Sequence, residues 1–198
     1  MMKLGIFVVA YNAESTIANT LSRIPVNFGN KLFSILISDD KSKDLTQKKA
    51  LGFAKDSSLP INIVIQPRNL GYGGNQKFGY SWAITNQWDI VILLHADGQY
   101  APEYLEEIVK PFEDSSVGAV FGSRMIDKKG ALDGGMPFYK WIGNQVLTFI
   151  QNKLTKQNMS EWHSGYRAYR VDVLKDLDLK NMSNGFRFDT QIILAILK

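Results

Sequence analysis

The chain has 198 residues, 45% hydrophobic and 12% aromatic, with a formal charge of +4 from 23 Lys and Arg against 19 Asp and Glu. This is the composition of an ordinary globular domain, and it excludes disordered, fibrous and low-complexity classes. The absence of cysteine excludes disulfides and thiolate metal sites and fits a reducing cytoplasm. The mild basic excess suits an anionic substrate or a membrane surface, and without a long basic run nothing points to nucleic acid.

Met1-Met2-Lys3-Leu4-Gly5 leads into a strand with no small-residue cleavage site, and no segment is long enough to span a bilayer. Short apolar runs at Leu4 to Ala10, Phe33 to Ser38, Ile61 to Gln66, Ile90 to Leu94 and Val117 to Phe121 read as strands. Helical stretches lie between them: Thr16 to Ile24 after Asn12 or Ser15, Leu45 to Lys55 after Ser42 or Asp44, and Glu103 to Phe112 opened by Pro102. Fully apolar strands alternating with helices predict an α/β fold, a Rossmann-like, mainly parallel sheet flanked by helices on both faces. The rhythm stops beyond Arg124. Met125 to Gly135 has the glycines and charges of a mobile loop suited to a lid, and Met136 to Ile150 forms an aromatic-rich helix with Lys140 and Lys153 near its ends. Such a helix packs into a core or lies at a lipid interface; core packing is the commoner fate of an aromatic stripe. Ile192 to Lys198 reads as an apolar helix without a C-cap, which predicts a chain truncated at this end.

Ligands of open α/β sheets collect beyond the carboxyl ends of the strands. The fourth strand empties into His95-Ala96-Asp97-Gly98-Gln99, a carboxylate, an imidazole and an amide at such an end. A hard divalent cation holding a diphosphate needs oxygen ligands there, with Asp97 the first candidate; an Asp-Gly turn and an ordinary half-buried imidazole are the plainer readings. Ala10-Tyr11-Asn12-Ala13-Glu14 and Ser38-Asp39-Asp40-Lys41-Ser42 end strands one and two on the same edge, where aromatic, amide and carboxylate groups suit a base and ribose. The plainer readings are an N-cap for Asn12 and Asx turns for Asp39 and Asp40. Asn69-Leu70-Gly71-Tyr72-Gly73-Gly74 follows a strand and opens a helix, letting backbone amides approach an anion. It lacks the last glycine of a dinucleotide fingerprint, and no Walker-type Gly-Lys-Ser/Thr is present, so dehydrogenase and P-loop classes are disfavoured.

In combination these elements resemble the inverting glycosyltransferases of family 2, with the GT-A fold, over most of the chain. Val8 to Glu14 resembles the family's base-binding turn, Ser38 to Ser42 its Asp-Asp-Gly-Ser element, Asn69 to Gly79 its Asn-x-Gly helix start, and His95-Ala96-Asp97 its Asp-x-Asp position. The resemblance implies a nucleotide-diphosphate sugar held by Ala10, Tyr11, Asn12, Glu14, Asp39, Asp40, Asn69, Gly71 and Ala96. It also implies Mg²⁺ or Mn²⁺ held by Asp97 and Gln99. His95 departs from the pattern, because a neutral imidazole suits Mn²⁺ better than Mg²⁺ if it ligates at all. Gly122-Ser123-Arg124, Ser164-Gly165-Tyr166-Arg167 and Gly185 to Gln191 resemble segments of dolichyl- and polyprenyl-phosphate sugar synthases, with Gln191 in place of a glutamate. That likeness implies that Arg124, assisted by Lys140, holds an acceptor phosphate, making Asp97, Arg124 and Lys140 the catalytic set. The plainer reading of Arg124 and Arg167 is structural ion pairing.

The Glu-Asp pair that supplies a general base in hydroxyl-glycosylating members is not visible near Glu161-Trp162-His163. An already anionic polyprenyl phosphate needs no base; Glu161 or His163 acting on a glycan hydroxyl is the other acceptor reading. The expectation is a single domain over 1–198, with 1–124 the nucleotide-sugar-binding half and 125–198 a smaller acceptor-side half. It is expected in the cytoplasm or peripherally at the inner face of the membrane. A non-catalytic nucleotide-sugar or glycan-binding module, motivated by His95 and Gln191, is the alternative. A nucleotidyltransferase ranks lower because no activation loop follows the first strand.

Overall fold

The computed structural model describes residues 2–127, 129, 132 and 136–197. Much of the expected lid, including Lys128, Gly130, Ala131 and Asp133 to Gly135, lies outside the described residues. The elements run β1 (Leu4–Ala10), α1 (Ile17–Ser22), α2 (Val26–Gly29), β2 (Leu32–Asp39), α3 (Thr46–Asp56), β3 (Ile61–Ile65), α4 (Tyr72–Thr85) and β4 (Ile90–His95). They continue through α5 (Leu105–Val109), β5 (Ala119–Phe121), α6 (Phe138–Thr155), β6 (Arg167–Arg170), α7 (Val171–Lys175) and α8 (Phe188–Ile196).

The sheet has six strands in the order β3-β2-β1-β4-β6-β5. β1 pairs in parallel with β2 and β4, and β2 with β3. Alternation along β1 sends Ile6, Val8 and Ala10 into one apolar cluster with Ile17, Leu21 and Leu105, while Phe7 stands edge-on to Tyr80 of α4 at 6.1 Å. Both faces are therefore covered, as continuous apolar strands require. β6 is antiparallel to β4, with Leu93 opposite Arg167 and Ile90 opposite Arg170. This strand is not among those expected, because Arg-Ala-Tyr-Arg has too few apolar residues to read as a buried strand. Yet Arg167 is fully buried, because Asp189 takes its charge.

The expected helix from Glu103 to Phe112 is broken into 3₁₀ turns at Pro102–Tyr104 and Lys110–Glu113 around the short α5. Pro111 has no amide hydrogen to continue the ladder. Side-chain N-capping of α1 is also absent: its N-cap is Thr16, with no capping hydrogen bond. The chain divides into two compact units, one formed by 1–120 with 165–198 and the other by 121–164. The last 34 residues thus belong with the first 120, whereas the expected dividing line falls at 124/125. The reason is β6, which enters the sheet beside β4 and carries α7 and α8 back onto the larger unit.

Candidate active site

In the larger unit, strand register aligns the carboxyl ends of β1, β2 and β4: Ala10 lies opposite Asp39, and Val9 opposite both Ser38 and His95. The segments after these strands consequently share one edge. Ala10 and Ala96 are buried, and their peptides lock the loops: Ala10 O accepts from Asp40 N at 2.8 Å, and Ala96 N donates to Val9 O at 3.0 Å. Tyr11 is 49% exposed at this edge.

Several expected ligand residues hold the backbone. Asn12, with left-handed φ of 49°, accepts from Lys43 N at 2.9 Å, and Glu14 accepts from Leu45 N at 2.8 Å, fastening the β1 turn to the β2 turn. Asp39, 2% exposed, accepts from Ser42 N at 3.2 Å and from the Ser42 hydroxyl. Asp40, 4% exposed, accepts from Leu70 N at 2.6 Å and Gly71 N at 3.1 Å. Burial raises its pKa, the two amides lower it in part, and Asp39 adds to the rise. Asn69 ties into the same turn through Asp40 O at 3.0 Å and Gly71 N at 3.0 Å. Gly71 needs φ of +80°, and a Cβ there would stand 2.8 Å from Asn184 O. Asp40 and Asn69 therefore shape the loop that presents α4.

Asp97 is exposed, and its Oδ1 accepts from Gln99 N at 3.0 Å in an Asx turn that aims the carboxylate outward. Gln99 is exposed beside it. His95 is set differently. Its ring packs near Tyr72 at 5.8 Å and Tyr100 at 5.2 Å, and a Cβ at Gly165 would stand 2.6 Å from its Nε2. Burial lowers its pKa, against the pull of Asp97 and Asp189, so the imidazole stays neutral. Among the described residues no three His, Asp or Glu side chains cluster to hold an ion.

Sequence reasoning places Asp189 in a Phe-x-Phe-Asp element at residues 186–189 and gives it no partner. Its carboxylate accepts from Tyr72 Oη at 2.8 Å, Gln76 Nε2 at 3.1 Å and Arg167 at 3.2 Å, tying α4, β6 and α8 together. Burial, with Asp189 beside it, pushes the Tyr72 hydroxyl well above its ordinary pKa, so it remains a donor. Arg167 is accordingly a structural ion pair. The signal is its half-buried partner two residues before Gln191, and Gln191 itself accepts from Ser183 N at 2.7 Å.

The smaller unit holds Arg124, Lys140 and Glu161. Glu161, with a fully buried carboxylate, accepts from Arg124 N at 2.8 Å, Arg124 Nη2 at 2.7 Å and Asn144 Nδ2 at 2.8 Å. Arg124 keeps 37% of its side chain exposed, so the pair fixes the arginine without enclosing it. Lys140 is exposed on α6. The apolar face of α6, expected in a core, is instead in solvent: Phe138, Val146 and Phe149 are 64, 52 and 68% exposed.

A mainly parallel sheet with the β1 and β2 turns, the glycine loop and an outward carboxylate on one edge is an open α/β fold of the kind that binds ligands beyond its strand ends. The model for glycosyl transferase family 2 matches residues 5–178, and the chain belongs to that family of glycosyltransferases. The UDP-N-acetylglucosamine–dolichyl-phosphate N-acetylglucosaminyltransferase of Methanococcus voltae is 30% identical over 184 residues, 87% of this chain and 71% of that protein. The undecaprenyl-phosphate mannosyltransferase of Micrococcus luteus is 25% identical over 193 residues, 96% of this chain and 76% of that protein. A similar solved fold is glucosyl-3-phosphoglycerate synthase from Mycobacterium tuberculosis with Mn²⁺, uridine diphosphate and phosphoglyceric acid, at TM-score 0.71 and 16% identity. The match covers 98% of this chain and 63% of that one, so the chain spans less than two thirds of that solved neighbour. No helix among the described residues is long and apolar enough to cross a membrane.

Proposed function

We propose that the domain transfers a sugar, with inversion, from a nucleoside diphosphate to a polyprenyl phosphate. The observation that carries the acceptor choice is Glu161. Three donors within 2.8 Å occupy its buried carboxylate, so it is not poised to take a proton from a sugar hydroxyl. A phosphate acceptor arrives ionised and needs only alignment. The names of the Methanococcus and Micrococcus relatives, both transferases to lipid phosphates, support the same choice.

Tyr11 and Asp39 serve the nucleoside. A divalent metal fits the donor set: Asp97 offers one outward carboxylate, Gln99 an amide oxygen, and the diphosphate the remaining hard oxygen ligands. Such an ion would neutralise charge developing on the departing diphosphate. Arg124 and Lys140 serve the acceptor phosphate, the arginine through its forked donors. In the transfer, an acceptor phosphate oxygen forms the bond to the anomeric carbon as the bond to the diphosphate breaks, and the nucleoside diphosphate leaves.

Calorimetric titration of UDP, GDP and dTDP with Mg²⁺, Mn²⁺ or chelator identifies the base, and transfer to a polyprenyl phosphate tests the acceptor. Arg124→Ala should lower turnover while sparing donor binding; normal turnover in that variant removes Arg124 from the reaction.

A further inference from the structure

The glycine loop ahead of α4 does not leave its amides open to an anion. Leu70 N and Gly71 N donate to Asp40, and Gly73 N and Gly74 N donate to the carbonyl of Asn184 at 2.7 and 3.2 Å. The amino end of α4 is thus capped by the segment 183–187 that leads into α8, all within the larger unit. An approach this close requires glycine: a Cβ at Gly73 would stand 2.4 Å from Ser183 O and 2.6 Å from the Phe188 Cβ. Side chains fasten the same segment. Lys77 donates to Met182 O at 2.9 Å, Gln191 accepts from Ser183 N at 2.7 Å, and Asp189 accepts from Tyr72 Oη at 2.8 Å.

What this clasp presents is Phe186. Its ring packs on that of Tyr72 at 4.9 Å, and Tyr72 in turn lies 5.8 Å from His95 at the end of β4, yet Phe186 is 80% exposed. A single exposed apolar side chain carries no message by itself. A ring on a segment pinned to the ligand edge of the sheet, backed by one aromatic neighbour and otherwise bare, is a preorganised platform. Position selects what it meets. Tyr11 and Asp39 stand at the ends of β1 and β2, whereas the row His95, Tyr72, Phe186 starts at β4, two residues before Asp97 and so on the diphosphate side of a bound donor. Beyond its phosphates such a donor carries a sugar. One face of a hexose ring is lined by C–H groups, weakly positive, and suits the negative face of an aromatic ring, whereas a phosphate needs donors that a phenyl ring lacks.

We propose that Phe186 is the platform on which the donor sugar stacks. The inference rests on the nucleotide-sugar reading above and adds to it the side chain that tells a nucleotide sugar from the bare nucleotide. It also gives the glycines that open α4 a purpose: they seat the segment that carries this ring.

The test is calorimetric affinity for UDP-N-acetylglucosamine and UDP-glucose against UDP, GDP-mannose against GDP and dTDP-glucose against dTDP, each with Mn²⁺. It is run on the wild type and on Phe186→Ala, Phe186→Leu and Phe186→Tyr. For the sugar the wild type takes, the ratio of nucleotide-sugar to nucleotide affinity should fall about 3- to 10-fold in Phe186→Ala, the scale of an aromatic contact. Phe186→Leu keeps the apolar bulk and loses the ring, so it should fall alike, while Phe186→Tyr keeps the ratio. Affinity for the bare nucleotide and the Tm should not move, because the side chain is 80% exposed. In transfer assays donor kcat/KM should fall at unchanged acceptor KM. An unchanged ratio in a protein that binds nucleotide overturns the proposal. So does an equal loss of affinity for the bare nucleotide, which makes Phe186 a contact to the nucleotide, and so does a raised acceptor KM with donor binding intact, which assigns the ring to the isoprenyl chain. No nucleotide binding by the wild type refutes the donor reading itself and this proposal with it, a result distinct from an unchanged ratio.

Discussion

Replacing Glu161 with Gln tests whether this carboxylate positions Arg124. The side chain is fully buried and receives three hydrogen bonds of 2.7 to 2.8 Å, two of them from Arg124. Gln keeps one acceptor oxygen and turns an NH₂ group toward donors, so at least one of the three bonds becomes a donor–donor clash. Breaking a wholly buried ion pair costs about 3–5 kcal/mol. Here the guanidinium is 37% exposed and recovers hydration when released, which brings the expected loss down to about 1.5–3 kcal/mol. For a chain of this size that lowers Tm by about 3–12 °C. The kinetic signature is separate from stability. A released Arg124 should raise KM for the acceptor phosphate and lower kcat/KM about 10- to 100-fold, the expected scale for losing a positioned contact, with donor KM unchanged. The assay is initial rate against acceptor at saturating donor, repeated from about pH 6 to 9 to bracket neutral-range titrations, with urea unfolding in parallel. If Glu161 were the general base, Glu161→Gln would instead remove kcat and flatten its acid limb at unchanged acceptor KM. That outcome, or unchanged acceptor kinetics and stability, refutes the positioning role.

Asp97→Ala should abolish metal-dependent nucleotide binding in calorimetry with little change in Tm, because the side chain is exposed and its carboxylate accepts from Gln99 N, within its own turn, at 3.0 Å; retained metal-dependent affinity removes Asp97 from the donor site. Gly79→Ala should destabilise by about 1–3 kcal/mol, since a Cβ there stands 2.1 Å from the Phe7 ring, itself fully buried; an unchanged urea midpoint refutes that packing. Asp40 supplies the pH test. Burial raises its folded pKa, so the native state binds the proton more tightly than the unfolded chain, and its contribution to stability is lost as pH rises from about 3.9 through the folded value. Asp40→Asn does not titrate, so the stability deficit of the variant should be largest near pH 4 and shrink toward pH 7. A deficit independent of pH over that range contradicts the upward shift that burial gives this carboxylate.

The donor edge is legible in the sequence because its logic is local. A short, mostly apolar run ends where polarity returns, and β1, β2 and β4 each obey that rule, so the hydropathy pattern alone puts Tyr11, Asp39 and Asp97 on one edge. What those side chains bond to is not legible. Asn12, Glu14, Asp40 and Asn69 accept from or donate to backbone groups about 30 residues away, and a carboxylate suited to a ribose is equally suited to the amides of a glycine turn. The bonding of Asp189 and Glu161 is hidden for a related reason. Each gains its role only when three donors from two other segments converge on it, and no spacing along the chain encodes that convergence.

Helix α6 fails to declare its environment for a different physical reason. A period of 3.6 separates an apolar from a polar half, but it carries no sign: the same half-cylinder is written whether the apolar side meets a core or a membrane. The sign is carried by the polar half. Asn144, Thr148 and Asn152 are short amides and a hydroxyl, able to bond neighbouring protein groups, where a solvent-facing stripe carries Lys, Glu and Arg. The charged residues of α6 lie instead at its ends, Lys140 in the first turn and Lys153 in the last. The hydrogen bonds that join the uncharged polar stripe to Glu161, Met159 and Trp162 are what turn the pattern into an orientation.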